Sequence, residues 1–201
     1  MRLILVRHGQ TSCNVDGIWH GWDDCPLNET GTEQARAAAQ RLAHETIHAI
    51  YSSDLRRARL TAQAIAGPHG LDIQSDPDLR ERHAGQFDGL RAPEVEALYP
   101  QWIAHRTADL WGWTPPGGET FTQVLERTLR AIERLYHRHP NDTVVVVTHM
   151  GPVRVLTSHY GGLSMEETYA IEFASTGLTI FRVDENGVRA ELLNDATHVV
   201  T

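Results

Sequence analysis

The stretch Met1-Arg2-Leu3-Ile4-Leu5-Val6-Arg7-His8-Gly9 decides how the rest of the chain is read. Leu3 to Val6 is an unbroken aliphatic run bounded by charge and glycine, the pattern of a strand covered on both faces of a parallel sheet. Such a strand delivers Arg7 and His8 to the carboxyl edge of the sheet, where open α/β sheets bind their ligands. Gly9 lets the backbone turn sharply and bring amides close to an anion. Read alone, the same residues describe a strand that ends in a polar turn. The arrangement gains weight because it recurs. Thr143-Val144-Val145-Val146-Val147 is a second apolar run, and it ends in Thr148-His149-Met150-Gly151-Pro152. If the two strands are neighbours, two imidazoles face each other across a small cleft.

Between these runs, strands alternate with helices. Residues 10–30 read as a long polar connection, and Thr30-x-x-Glu33 has the form of a capping box opening an Ala-rich helix to about Ala43. His48–Tyr51 is expected as a second strand. Ser53 or Asp54 is placed to cap a helix from Leu55 to about Ala66, and Leu71–Ile73 reads as a third strand. Pro93 to Trp113 has helical spacing in part, and Phe121 to His139 is a long amphipathic helix. After Pro152 a helix runs to about Tyr160. Strand-like runs follow at Thr168–Phe173, Leu178–Val183 and Val188–Leu193. No internal repeat or linker interrupts the order. The expected fold is one α/β domain over residues 1–201, a three-layer α/β/α sandwich with a mixed, mostly parallel sheet.

Composition bounds the function classes. The chain has 201 residues, 41% hydrophobic and 22% charged, enough for one substantial core. No apolar span approaches the ~18 residues of a membrane helix, and the start lacks the pattern of a signal peptide, so no membrane and a cytoplasmic location are expected. A formal charge of −8 argues against nucleic acid as a partner but leaves room for arginines converging on a small anion. Cys13 and Cys25 form no CxxC pair and are expected to be free thiols. His137-x-His139, at a helix end, is read as exposed and capping rather than metal-binding. The turn Leu55-Arg56-Arg57-Ala58 adds guanidinium groups near a helix N-terminus, and together with the two histidines this makes a phosphate site.

These residues carry a resemblance. Arg7-His8-Gly9, Ser52-Ser53-Asp54-Leu55-x-Arg57-Ala58-x-x-Thr61-Ala62, Leu79-x-Glu81 followed by Gly85 and Gly89, and Thr148-His149 resemble the histidine phosphatase superfamily, in the family's order. That family contains cofactor-dependent phosphoglycerate mutases and small phosphatases. Leu193-Asn194-Asp195-Ala196-Thr197-His198 is similar to the end of its small bacterial phosphatases. The resemblance implies that His8 is the nucleophile and becomes a transient phosphohistidine. It implies that Arg7, Arg57 and His149 hold the non-bridging oxygens, that Asn14 hydrogen-bonds the phosphoryl group, and that Glu81 is the general acid and base. Without the resemblance, Glu81 between Arg80 and Arg82 reads as a surface ion-pair residue. No metal and no cofactor are required, the partner is a small phosphorylated metabolite, and a homodimer is a family-level expectation.

Hydrolysis is favoured over phosphoryl transfer between sugar acids. The segment after Glu81 is shorter than the mutases' insertion and not lysine-rich. Ala84 stands where mutases place a tyrosine, and Gly151 where they place an asparagine. Against this, Gly21-Trp22-Asp23 and Pro26-Leu27 resemble the mutase loop. The alternatives are a 2,3-bisphosphoglycerate-dependent phosphoglycerate mutase, or a non-catalytic sensor of a phosphate ligand. Substrate choice is assigned to a helical cap at about 91–113, with Gly21, His83, Trp102 and His198 as candidate contacts. Phosphoserine, α-ribazole phosphate, phosphoglycerate and phosphosugars are all compatible with these residues.

Overall fold

The computed structural model describes residues 1–199, without the side chains of 103, 104, 106 and 107. In chain order its elements are β1 Arg2–Arg7, α1 Ser12–Val15, α2 Glu29–Leu42, β2 Ala49–Ser52, α3 Arg56–Ala66, β3 Ile73–Ser75, α4 Ala92–Leu98 and α5 Pro100–Ala108. There follow α6 Phe121–Arg138, β4 Thr143–Thr148, α7 Met150–Gly161, α8 Met165–Ala170, β5 Leu178–Asp184 and β6 Gly187–Asp195. The sheet order is β3-β2-β4-β1-β5-β6. The first four strands are mutually parallel, while β5 runs antiparallel to β1 and β6 antiparallel to β5. The expected mixed sheet is therefore present.

Alternation along the strands builds the three layers, because successive side chains in a strand point to opposite faces. Leu3, Leu5, Tyr51, Val144 and Val146 pack with Ile132 and Leu135 of α6 and Val153 and Leu156 of α7. Ile4, Val6, Ile50, Val145 and Val147 pack with Ala38 and Leu42 of α2 and Ala62 and Ile65 of α3. Both faces of β1 and β4 are covered, which explains their unbroken aliphatic sequence. A smaller cluster of Ala84, Phe87, Val95 and Trp113 lies under Trp19, Tyr99 and Trp102.

Register places the site. Arg7 pairs with Thr148 across the parallel β1/β4 ladder, so His8 and His149 leave the sheet at the same level. His8 N donates to Thr148 O at 2.9 Å, and Ser53 N donates to Val147 O at 2.9 Å, adding the end of β2 to the same edge.

Several local expectations are corrected. The cap of α2 is Asn28, whose side chain accepts from Gly31 N; Thr30 lies inside the helix. Leu55 is the N-cap of α3, without a side-chain cap bond. The third strand lies at Ile73–Ser75, two residues later than the expected Leu71–Ile73 and sharing Ile73 with it. Thr168–Phe173 is not a strand: α8 occupies Met165–Ala170, opened by a Ser164/Glu167 capping box that outweighs the β-branched residues. Cys13, within α1, and Cys25 are not free thiols but form a disulfide, the chain returning between them so that Thr11 and Leu27 pair in an antiparallel bridge. His137 is exposed as expected, whereas His139 is half-buried and hydrogen-bonded to Tyr51 and Asp142.

Candidate active site

A cavity of about 330 Å³ opens at the carboxyl edge of β1 and β4. Arg7, His8, Asn14, Gly21 and Glu81 line it, together with His20, Trp19, Phe121, Gly151, Arg154 and Tyr169. His149 and Arg57 lie fully buried against this group, the imidazole centroids of His8 and His149 being 5.1 Å apart.

His8 is buried, and its Nδ1 stands 2.7 Å from Gly9 O. A carbonyl only accepts, so Nδ1 carries the proton and Nε2 keeps its lone pair in the neutral ring. Burial, then the Arg57 and Arg7 guanidinium groups, holds the imidazole well below its ordinary pKa. Gly9 serves packing rather than anion binding: its N–H donates to Thr61 Oγ1 at 3.1 Å. A Cβ on Gly9 would lie 2.4 Å from Gly31 O, so the backbone of α2 crosses directly over this turn.

Arg7 Nη1 donates to Phe173 O, while its buried Nε has no hydrogen-bond partner among the described residues. Asn14 Oδ1 accepts from Thr11 N at 3.0 Å and Thr11 Oγ1 at 2.9 Å. That fixes the amide's orientation and leaves Nδ2 as its donor to the cavity.

Arg57, in the first turn of α3, clamps the loop before it. It donates to the carbonyls of His20 (3.2 Å), Gly21 (2.8 Å) and Asp23 (2.8 Å). Its Nε donates to His149 Nδ1 at 3.2 Å, and His149 Nε2 lies 2.8 Å from Ser53 Oγ. Burial lowers the Arg57 pKa to about 10, which still leaves a cation at neutral pH. Burial and the Arg57 charge likewise hold His149 well below the ordinary imidazole value, matching a neutral ring that accepts at Nδ1 and donates at Nε2.

Glu81 is not the surface ion-pair residue its neighbours suggest. Arg80 turns away to a two-pronged pair with Asp54 at 2.8 and 2.6 Å. Glu81 Oε1 accepts from Arg82 N at 2.7 Å and Gly151 N at 3.0 Å. The segment is held from behind by buried Arg127 of α6, which donates to Asp78 O, Arg80 O and Glu81 O at 2.7–2.9 Å and pairs with Glu119. Trp22 Nε1 adds a bond to Glu81 O.

Three candidate contacts lie outside the cavity. Trp102 packs against the Phe87–Trp113 cluster, and its carbonyl accepts from Trp113 Nε1. His83 sits edge-on to Trp22 with Nδ1 3.0 Å from Gly117 O. His198 stands behind the nucleophile: its Nε2 is 3.3 Å from Thr176 Oγ1, and Thr176 N donates to Arg7 O and His8 O. The tail also explains part of the arginine's setting. Asn194 accepts from Ala174 N and donates to Glu172 O, bracing the segment whose Phe173 carbonyl takes Arg7.

Sequence reasoning missed His20, Arg127 and Arg154, and it named Ser53 as a helix cap rather than as the partner of His149. His20 directly precedes Gly21. Arg154 stands five residues past His149, and its place on the following turn of a helix was the available signal.

A neutral buried histidine ringed by arginines at the carboxyl edge of a doubly covered sheet defines a phosphoryl-binding α/β protein. The chain belongs to the histidine phosphatase superfamily (branch 1), whose family model matches residues 3–196. It is 39% identical over 160 residues to the metal-independent phosphoserine phosphatase of Arabidopsis thaliana, covering 77% of this chain and 66% of that protein. It is 30% identical over 200 residues to a 2,3-bisphosphoglycerate-dependent phosphoglycerate mutase of Parvibaculum lavamentivorans, covering 95% of each. Among solved structures, YhfR of Bacillus stearothermophilus superposes with a TM-score of 0.93 at 30% identity over 99% of both chains.

Proposed function

We propose that this protein hydrolyses a small phosphomonoester through a phosphohistidine on His8. The observation that carries the reading is the tautomer: Nδ1 is tied to Gly9 O, so a desolvated Nε2 lone pair stands beside Arg7. Nε2 attacks phosphorus, the P–O ester bond breaks, and Glu81 gives a proton to the departing alkoxide. Water then attacks the phosphohistidine, the P–N bond breaks, and the water's proton passes to Glu81. Arg7 Nε and the Asn14 amide offer donors to the non-bridging oxygens, where charge spreads in the transition state. His149 reaches an oxygen by turning its Nε2–H donor from Ser53 Oγ to it, while Arg57, still donating to Nδ1, acts at close range as a fixed positive charge.

The same arginines supply the charge that a metal would otherwise supply, in keeping with the name of the Arabidopsis relative. Hydrolysis rather than mutase chemistry is favoured by Gly151. An asparagine there would place Cβ 2.3 Å from Glu81 Oε1, so this arrangement of the carboxylate needs glycine. The segment 91–113 is proposed as the cap that shapes the leaving-group end. No helix among the described residues is long and apolar enough to cross a membrane. The cytoplasm is the proposed compartment, and the Cys13–Cys25 disulfide is the feature that counts against it, because cytosolic thiols are kept reduced.

Phosphorus NMR in excess chelator tests the activity on a panel of phosphomonoesters that includes 3-phosphoglycerate primed with 2,3-bisphosphoglycerate. Inorganic phosphate should grow with the wild type and be abolished by His8→Ala. Interconversion of phosphoglycerates with little free phosphate would establish the mutase instead, and activity surviving in His8→Ala would sink the mechanism.

A further inference from the structure

The cavity holds one cation more than the phosphoryl group uses, and among the described residues that cation has no hydrogen-bonded anionic partner. Arg154 lines the cavity and is only 8% exposed. Among the described residues no carboxylate pairs with it. Its Nε donates to Thr168 O at 3.3 Å, and its Cζ lies 4.3 Å from the Tyr169 ring centroid and 5.7 Å from that of Phe173. Neither Nη atom has a hydrogen-bond partner among the described residues. The guanidinium plane is thus held on an aromatic shelf while the side of the fork that grips anions is left unused. A shielded cation that meets a carboxylate, that of Glu81, only through space and without a hydrogen bond is costly, and an arriving anion would offset that cost.

The other arginines of the site are committed elsewhere. Arg7 stands beside His8, Arg57 clamps the carbonyls of residues 20–23, and Arg82 donates to Glu119 O and Trp113 O. The chain contains no lysine. Arg154 also has the right place along α7. It follows Gly151, whose N–H holds Glu81, by three residues on the same helix face, about 4.5 Å further along the axis. A leaving group protonated by Glu81 that extends along α7 meets Arg154 next.

We propose that Arg154 binds a second anionic group of the substrate, a carboxylate a few bonds from the ester oxygen, so that the protein selects phosphorylated acids over phosphorylated alcohols. The planar fork of arginine matches a carboxylate with two parallel hydrogen bonds. The assignment rests on the hydrolase reading for its turnover arm and on binding alone for the other.

The test uses a matched pair, 3-phosphoglycerate and glycerol 3-phosphate, which differ only in carboxylate against hydroxymethyl. The kcat/KM is measured for both esters, and calorimetric Kd for their non-hydrolysable phosphonate analogues. The wild type should prefer the acid by at least about tenfold in both measures. In Arg154→Gln the acid should weaken about 30-fold while the alcohol stays within about threefold, erasing the preference. Arg154→Lys, which keeps the charge and loses the fork, should fall between the two. If Arg154→Gln does not fold, the lysine variant must still cut the preference severalfold.

An equal loss for both ligands would mark Arg154 as structural and overturn the assignment. So would a wild type without acid preference, or a preference that survives both substitutions. A wild type that turns over neither ester yet binds the acid phosphonate through Arg154 would remove the hydrolase reading and leave the carboxylate site standing.

Discussion

Glu81 engages the protein through one oxygen. Oε1 takes both backbone N–H bonds, from Arg82 and Gly151, and no hydrogen bond reaches Oε2 among the described residues. In the proposed mechanism Oε2 is then the atom that handles the proton. The missing side chain at residue 151 makes this possible, since a methyl there would fall 2.3 Å from Oε1. Gly151→Ala should therefore push the carboxylate off its amide and lower kcat about 100-fold. The fold should tolerate the change or gain up to about 1 kcal/mol, because alanine is the better helix residue. Steady-state kinetics beside a urea unfolding curve separates the two effects, and an unchanged kcat would show that the amide contact does not position Glu81. The family resemblance pointed to Glu81 and Gly151 as separate positions. Their dependence on each other is a distance across 70 residues of chain, and no local pattern encodes it.

At the scale of elements, the loop from Cys13 to Cys25 is the part least legible in the sequence. Two cysteines in a polar stretch, without CxxC spacing, gave no ground for pairing. The pairing depends on α1, a four-residue helix that Thr11 and Asn14 cap reciprocally. The covalent ring encloses Asn14 and the carbonyls of His20, Gly21 and Asp23 that hold Arg57. Opening it should act on stability and on the site together. Replacing both cysteines by serine should cost about 3 kcal/mol, the loop-closure value for a separation of 12 residues. It should also raise KM for a phosphomonoester several-fold with a smaller change in kcat, because the loop carries binding groups and not the nucleophile. Equal urea midpoints for oxidised and reduced wild type would refute the stapling role. By contrast β1, β4 and α6 were legible with nearly correct ends, since burial on both faces, or on one helical stripe, leaves a periodic signal. Helix α8 was misread as a strand because Thr168 and Ile171 favour strands locally, whereas Ser164, Glu167 and the buried Met165 and Thr168 fix a helix.

Across the whole molecule, the site is assembled from both ends of the chain and from nearly every segment between. That explains why its identity could be read while its wiring could not. Arg7, His8, Arg57 and His149 stand at strand ends and helix starts that the sequence marks, and Glu81 stands in an irregular stretch that only the resemblance marks, but Arg154 and Arg127 act through helix faces chosen by packing. Concentrating neutral imidazoles in the core also ties global stability to pH. His8 and His149 are held well below the ordinary imidazole value by burial first and then by Arg57, and burial lowers His20 and His198 as well. For each of these groups the unfolded chain binds more protons than the folded one below about pH 6.5, so stability falls as the pH drops through that point. The slope is at most about 1.4 kcal/mol per pH unit for each group. Asp54, lowered by Arg80, and Glu119, lowered by Arg127 against its own burial, add losses of the same sign only nearer pH 4, where unfolded carboxylates protonate. Asp88, raised by burial, works in the opposite direction. Urea midpoints measured from about pH 8 to pH 5 should therefore decline from about pH 6.5 downward, well before the carboxylates titrate. The decline should be shallower in His8→Gln, which removes one of the titrating rings. A flat profile down to pH 5, or an identical slope in that variant, would mean that the buried imidazoles are not the neutral groups on which the nucleophile's assignment depends.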